Sequence, residues 1–226
     1  MSTTNLSLVY GVLLYEGMSI LDIYTLLEFL NVISLDLPLK IHLISAEASN
    51  VVSTKVGQNY ITKIKPAFLG GEQRMVADFS LDNAPDVDVI VVPGGTASEE
   101  VILDGRVTDF LKTRYPTLKY LIGICTGGAI IAASGLLDNK RAAGSKSFWS
   151  WVSSQGTNVS WIPKARFMND GNIWTSSGLT AGLDLSYAFL KEVYGEEVAE
   201  KAALVLEYIP SEDPLTDPFA AKYGLV

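Results

Sequence analysis

The chain is poor in the residues that most often carry chemistry: one cysteine and one histidine among 226 residues. A single cysteine, Cys125, excludes an intramolecular disulfide and a cysteine-based metal site. A single histidine, His42, leaves no set of metal ligands with recognisable spacing, so neither a metal nor a cofactor is expected. His42 lies in Lys40-Ile-His-Leu-Ile, on an expected half-exposed strand away from Cys125. That placement disfavours a hydrolase in which histidine activates the thiol. Charged residues make up only 19% of the chain, and the net charge is −8 with no basic block. The electrostatic footprint of a nucleic-acid binder is missing. No apolar stretch reaches the about eighteen residues that a membrane helix needs. The opening Met1-Ser-Thr-Thr-Asn-Leu-Ser lacks the basic and apolar regions of a signal peptide, so a reducing, cytoplasmic setting is expected.

What remains is a chain of 24.4 kDa, 48% hydrophobic, with mean hydropathy +0.26. Length and composition predict one globular domain over 1–226, its last part, about 210–226, a tail that must pack on something to be ordered. Apolar runs at Leu6–Leu14, Lys40–Ser45, Val87–Val92, Tyr120–Ile124 and Ile173–Ser176 read as strands. Trp161–Phe167 reads as another, joined to Ile173–Ser176 by the Asn169-Asp-Gly-Asn turn. Helical spacing appears at Ile20–Ile33 (with Ser19 as an N-cap), Glu99–Tyr115, Thr126–Ser134, Ser147–Ser154, Leu179–Tyr194 and Glu196–Tyr208. Asn50–Lys65, with Gly57-Gln-Asn inside it, reads as a short hairpin or extra strands, and Arg141–Ala143 as a short strand. The alternation predicts an α/β sandwich with a mostly parallel sheet.

Cys125 stands where the apolar run Tyr120–Ile124 ends and the small-residue helix begins. A strand turning directly into a helix holds the turn residue's side chain above the sheet, a nucleophile elbow. Gly123, Gly127 and Gly128 suit so crowded a turn. The adjacent helix N-terminus is expected to lower the thiol pKa. Ligands in such sheets bind beyond the carboxyl ends of strands. Asp22, early in its helix with apolar flanks, and the Pro93-Gly94-Gly95 turn should reach that end. A buried Asp22 beside a thiolate would hold a raised pKa and shuttle a proton; its structural alternative is an acid complementing the helix dipole. Gly94, Gly95 and Gly127 are candidates to offer N–H groups to an anionic intermediate, as is the Thr126 N–H. The Thr126 hydroxyl can position water or substrate, or cap its helix. Phe148, Trp149, Trp151, Trp161 and Tyr24 are candidate pocket walls or core.

Leu21-Asp22, Pro93-Gly94-Gly95 and Gly123-Ile-Cys125-Thr126-Gly127-Gly128 together resemble the ThiJ/PfpI superfamily. Within it, Asp at 22, Thr after the cysteine, Ala133-Ser-Gly-Leu-Leu-Asp138, Asp170–Asp184 and Glu207-Tyr-Ile-Pro210 resemble the isocyanide hydratase branch. The resemblance implies a flavodoxin-like three-layer sandwich and a homodimer acting on a small molecule. It implies Cys125 as nucleophile, Asp22 as acid/base, Thr126 as a positioning group, and hydration of an isocyanide to an N-substituted formamide. Another cysteine-dependent lyase, or a redox-sensing or chaperone-like member, is the alternative. Two departures stand out. Asp22 is followed by Ile-Tyr-Thr-Leu, where relatives commonly carry Gly-Pro two residues on. After Arg141-Ala142, where many relatives have Thr-Thr-His, this chain reads Ala143-Gly144-Ser145-Lys146. The missing histidine argues against glyoxalase-like branches, and Lys146 is expected to be an exposed lysine.

Overall fold

The computed structural model describes residues 7–64, 71–211 and 213–225. In chain order the strands are β1 (Val9–Leu14), β2 (Lys40–Ser45), β3 (Val51–Ser53), β4 (Arg74–Val76), β5 (Phe79–Ser80), β6 (Val89–Val92), β7 (Tyr120–Gly123), β8 (Arg141–Ala142), β9 (Ser160–Trp161), β10 (Phe167–Asp170) and β11 (Ile173–Ser176). The helices are α1 (Ile20–Ile33), α2 (Gln58–Ile64), α3 (Ser98–Asp104), α4 (Arg106–Arg114), α5 (Gly127–Ala133), α6 (Trp149–Val152), α7 (Leu179–Tyr194), α8 (Glu196–Val205) and α9 (Pro218–Lys222).

β6 is apolar at all four positions, and all four are buried. Such a strand must be covered on both faces, which suits a parallel sheet between helical layers. The central sheet runs β10-β11-β7-β6-β1-β2-β5. Every neighbouring pair in it is parallel except β10 with β11. α1, α7 and α8 pack together as one layer, and α3, α4 and α5 as the other. The three-layer α/β sandwich read from the sequence is the observed one. The core includes Tyr10, Val12 and Leu14 of β1 and Leu26, Phe29 and Leu30 of α1 among its buried members.

The order of the strands reverses between β1 and β6, so their carboxyl-end loops part and leave a crevice. Across it, Ser19 N–H donates to the Gly94 carbonyl at 2.8 Å and Thr96 N–H to the Gly17 carbonyl at 2.9 Å. These bonds bring the start of α1 against the Pro93–Gly95 turn.

Two local readings change. Asn50–Lys65 forms no hairpin of its own but does hold one extra strand, β3, which pairs antiparallel with β4, while Gln58–Ile64 is a helix and Lys65 lies outside the described residues. The strand partner is supplied from well beyond the local run, which short apolar patterns cannot reveal. Trp161–Phe167 divides into β9, which pairs with β8, and β10, which forms the hairpin with β11. The Leu6 end of the first run lies outside the described residues. Ser19 occupies the N-cap position of α1 without a side-chain capping bond.

The tail packs as its composition required. Arg166 N–H donates to the Pro214 carbonyl at 2.7 Å, and Asp217 N–H to the Lys164 carbonyl at 3.0 Å. Asp217 caps α9 by accepting the Phe219 N–H at 3.0 Å.

Candidate active site

Cys125 lies between the end of β7 at Gly123 and the start of α5 at Gly127, with φ of 57°. A non-glycine residue in this left-handed region carries backbone strain of roughly 1–2 kcal/mol. The surroundings impose it. Ile124 N–H donates to the Val92 carbonyl at 3.0 Å, and Gly127 N–H to the Ile124 carbonyl at 2.8 Å. A Cβ on Gly127 would fall 2.1 Å from the Val92 carbonyl oxygen, so only glycine lets α5 begin so close to β6.

Asp22 sits in the first turn of α1 and is fully buried. Its Oδ2 accepts the Gly94 N–H at 2.9 Å, and its Oδ1 is buried without a hydrogen-bond partner. Burial, opposed by the Gly94 N–H and then by the Ser19 hydroxyl, raises the carboxyl to about 6. The expected depression of the thiol pKa is reversed: burial first, then the Asp22 carboxylate, push Cys125 up to about 12. The Ser145 hydroxyl and the Thr126 N–H and hydroxyl oppose that rise by favouring the thiolate. Cys125 keeps partial solvent access, yet the protein packed around its sulfur outweighs the short, seven-residue α5. Near neutral pH the pair therefore holds one proton, on sulfur.

The three glycine N–H groups expected to face an anion are committed inside the protein. Gly94 holds Asp22, Gly95 donates to Thr126 Oγ1 at 2.9 Å, and Gly127 donates to Ile124. Thr126 does not cap α5 with its side chain. Its hydroxyl is 2.8 Å from Ser98 Oγ, which donates to the Gly95 carbonyl at 2.9 Å. Tyr15 OH donates to the Pro93 carbonyl at 2.8 Å and lies 3.2 Å from Ser98 Oγ. This hydroxyl chain ties the Pro93–Gly95 turn to the residue after the cysteine. Ser98 and Tyr15 belong to no motif, and only the fold gathers them.

Two cavities reach partners of the cysteine, Thr126 in one and Ser145 in the other, while Cys125 and Asp22 themselves line neither. One, of about 210 Å³, is lined by Tyr60, Gly95, Thr96, Thr126, Phe148 and Trp151, with Lys63, Ser98 and Glu99 completing it. The other, of about 200 Å³, begins at Ser145 and extends along Lys146, Arg166, Thr180 and the tail residues Asp217 and Phe219. A larger groove of about 750 Å³ along β10 and α7 is lined by none of Cys125, Asp22 or Thr126. Phe148 and Trp151 do line a cavity; Trp161 and Tyr24 pack against the core instead. Tyr60 was hidden within the stretch read as a hairpin. His42 lies on β2 and meets Phe79 edge-on at 5.1 Å, and it takes no part in the site.

Lys146 is not exposed. Its Nζ donates to the carbonyls of Ala165 at 2.7 Å and Gly144 at 3.1 Å and lies 3.5 Å from Asp217 Oδ2. It also stands over the Trp149 ring at 5.3 Å. Desolvation lowers its pKa to about 8, against the pull of Asp217. Among the described residues no cluster of three or more histidine, cysteine or acidic side chains is placed to hold a metal ion.

A profile of the DJ-1/PfpI family matches residues 11–192, which includes Asp22, Gly94 and Cys125. The chain belongs to the DJ-1/PfpI family. It is 33% identical over 133 residues to an isonitrile hydratase of Pseudomonas putida, a stretch covering 58% of this chain and 57% of that one. It is 30% identical over 110 residues to a deglycase of Pyrococcus abyssi, covering 49% of this chain and 62% of that one. These matches thus span little more than half of either relative. Among solved structures, a ThiJ/PfpI family protein from Pseudomonas syringae superposes with a TM-score of 0.70 at 23% identity, covering 91% of this chain and 76% of that one. DJ-1beta of Drosophila melanogaster gives 0.72 at 18% identity, covering 90% of this chain and all of the other (100%). At such identities the structural likeness speaks for the shared DJ-1/PfpI fold alone.

Proposed function

We propose that this DJ-1/PfpI protein hydrates an isocyanide to an N-substituted formamide, with Cys125 as nucleophile at its strand-to-helix elbow. The observation that carries this reading is the pairing of a buried thiol with a buried carboxylate whose Oδ1 has no partner. No histidine takes part. The Asp22 carboxylate takes the thiol proton, and the sulfur's new lone pair bonds to the terminal isocyanide carbon. That carbon receives the proton back from Asp22, giving a thioimidate, R–N=CH–S–Cys125. Water then adds to the thioimidate carbon and the nitrogen gains a proton. The carbon–sulfur bond breaks, returning the thiol and releasing R–NH–CHO. One acid that gives and takes the same proton suits a pKa raised to about 6, close to working pH. The Thr126 N–H and the Ser145 hydroxyl are the groups that steady the sulfur's charge. Gly94 and Gly95 act one step back, holding Asp22 and Thr126 in place. Similarity to an isonitrile hydratase supports the same reading.

The test is formamide production from an isocyanide by wild type, Cys125→Ala and Asp22→Asn. Turnover surviving in Cys125→Ala rejects the mechanism, and turnover surviving in Asp22→Asn rejects the role of the carboxylate. The deglycase relative supports a second cysteine-dependent reading, on a carbonyl adduct, tested by the same variants with a glycated amine. We further read the protein as a homodimer in solution, which light scattering decides. Among the described residues no helix is long and apolar enough to cross a membrane.

A further inference from the structure

The cavity beside Thr126 bears on what the substrate carries on its nitrogen, a question that rests on the hydratase reading. Three aromatic rings from separate segments converge on it: Tyr60 of α2, Phe148 just before α6, and Trp151 of α6. All three are half-buried. Unlike Tyr24, Tyr115 and Trp161, none of them packs against the hydrophobic core of the described residues. The Tyr60 and Phe148 ring centroids are 5.8 Å apart and tilted at 49°, which leaves their faces open rather than stacked on each other. Partly exposed rings held this way gain favourable burial when something apolar enters between them.

The floor of the cavity offers little unmet polarity. Gly95 N–H is bound to Thr126 Oγ1, and Ser98 bridges Thr126 and the Gly95 carbonyl. Among the described residues that line it, the charged ones, Lys63 and Glu99, neutralise each other at 2.6 Å. Nothing there calls for an ionised ligand. The volume, about 210 Å³, modestly exceeds the roughly 150 Å³ of an apolar cavity that takes up benzene.

We propose that this cavity receives the nitrogen substituent of the isocyanide, that the substituent is a single uncharged aromatic ring, and that Tyr60, Phe148 and Trp151 set the preference. Thr126 lines the cavity and adjoins Cys125 in the chain, so a ring seated there places its isocyanide group on the cysteine's side of the cavity.

Two measurements separate this inference from the hydratase reading. In the first, kcat/KM is compared for phenyl isocyanide, isopropyl isocyanide and isocyanoacetate in wild type and Trp151→Ala. The expected order places the phenyl compound at least tenfold above the other two. Trp151→Ala should lower the phenyl-to-isopropyl ratio about tenfold, mostly through KM. Equal preference for the three, or a ratio unmoved by Trp151→Ala, overturns the proposal. In the second, N-phenylformamide is titrated into Cys125→Ala and followed by the indole N–H resonance of Trp151. Saturable binding at least tenfold tighter than that of N-formylglycine supports the cavity assignment even if no isocyanide turns over. No saturable binding overturns it even if isocyanides do turn over. Phe148→Leu provides a second variant should Trp151→Ala fold poorly, with a smaller fall in the same ratio expected.

Discussion

Asp22 and Gly94 share a 2.9 Å hydrogen bond that fixes one carboxylate oxygen and leaves the other buried and unpartnered. The start of α1 is thereby locked to the turn after β6, and Cys125 feels the charge of this carboxylate. An acid kept this way has stability to lose on ionising.

Replacing Asp22 by Asn should stabilise the fold near neutral pH. The folded carboxyl titrates at about 6 against an ordinary 3.8, so ionisation is harder in the native state than in the unfolded one. Wild type then loses stability as pH rises from about 4 to about 6, and Asp22→Asn, which still accepts the Gly94 N–H, does not. The gap should grow to about 3 kcal/mol above pH 6 and vanish below about pH 4. Urea unfolding across that range measures it. A gap independent of pH would contradict the buried-carboxylate account.

Alkylation of Cys125 by iodoacetamide should accelerate steadily with pH and reach no plateau below about pH 10, because the thiol titrates near 12. Asp22→Asn removes the nearby negative charge, so its thiol pKa should fall and its alkylation at pH 8 should run several-fold faster than wild type. Below pH 6, with Asp22 protonated in wild type, the two proteins should converge. Mass spectrometry of the labelled peptide reads the rates. Equal rates for the two proteins at pH 8 would place the carboxylate out of range of the sulfur.

Gly94→Ala should damage the site more than its size suggests. A Cβ there would come within 2.6 Å of the Thr126 N and Oγ1 and 2.8 Å of Asp22 Oδ2. One of the two groups must move. We expect a fall of at least a hundredfold in kcat with far-UV circular dichroism unchanged, since an ångström of misplacement is enough for that.

Asp217→Ala should release the tail. The Asp217 carboxylate is almost fully buried, 3.5 Å from Lys146 Nζ and 3.8 Å from Arg166 Nη1. Arg166 keeps Asp184 and Lys146 keeps its two carbonyls, but a buried charge loses its counter-ion. Breaking such a pair costs about 3–5 kcal/mol. The expected outcomes are a lowered urea midpoint and trypsin cleavage at Lys222 at concentrations that leave wild type intact. Equal resistance to trypsin would show that Asp217 does not hold α9.

Much of this site was legible before folding. The apolar runs that become β6 and β7 are bounded by glycines, and α1 follows Ser19 with its helical spacing intact. These are short-range patterns, set by sterics and periodicity within a few residues. Cys125 in its turn, Asp22 in its first helical turn, and the Pro93–Gly95 turn could be nominated on that basis. Tyr60, Ser98 and Ser145 could not, because each enters the site through contacts with segments far away in the chain. Lys146 misled for the same reason: its burial depends on Ala165 and Asp217, neither of which its neighbours foretell.

By itself the chain of residues determined the layer architecture, the strand-to-helix turn at Cys125 and the lack of a second thiol or a second histidine. The sense of the Cys125 shift, the commitment of the Gly94, Gly95 and Gly127 N–H groups, and the aromatic cavity were decided by tertiary structure. The physical reason is range. Backbone sterics act between neighbours in sequence, whereas desolvation and charge act on whatever the fold brings near.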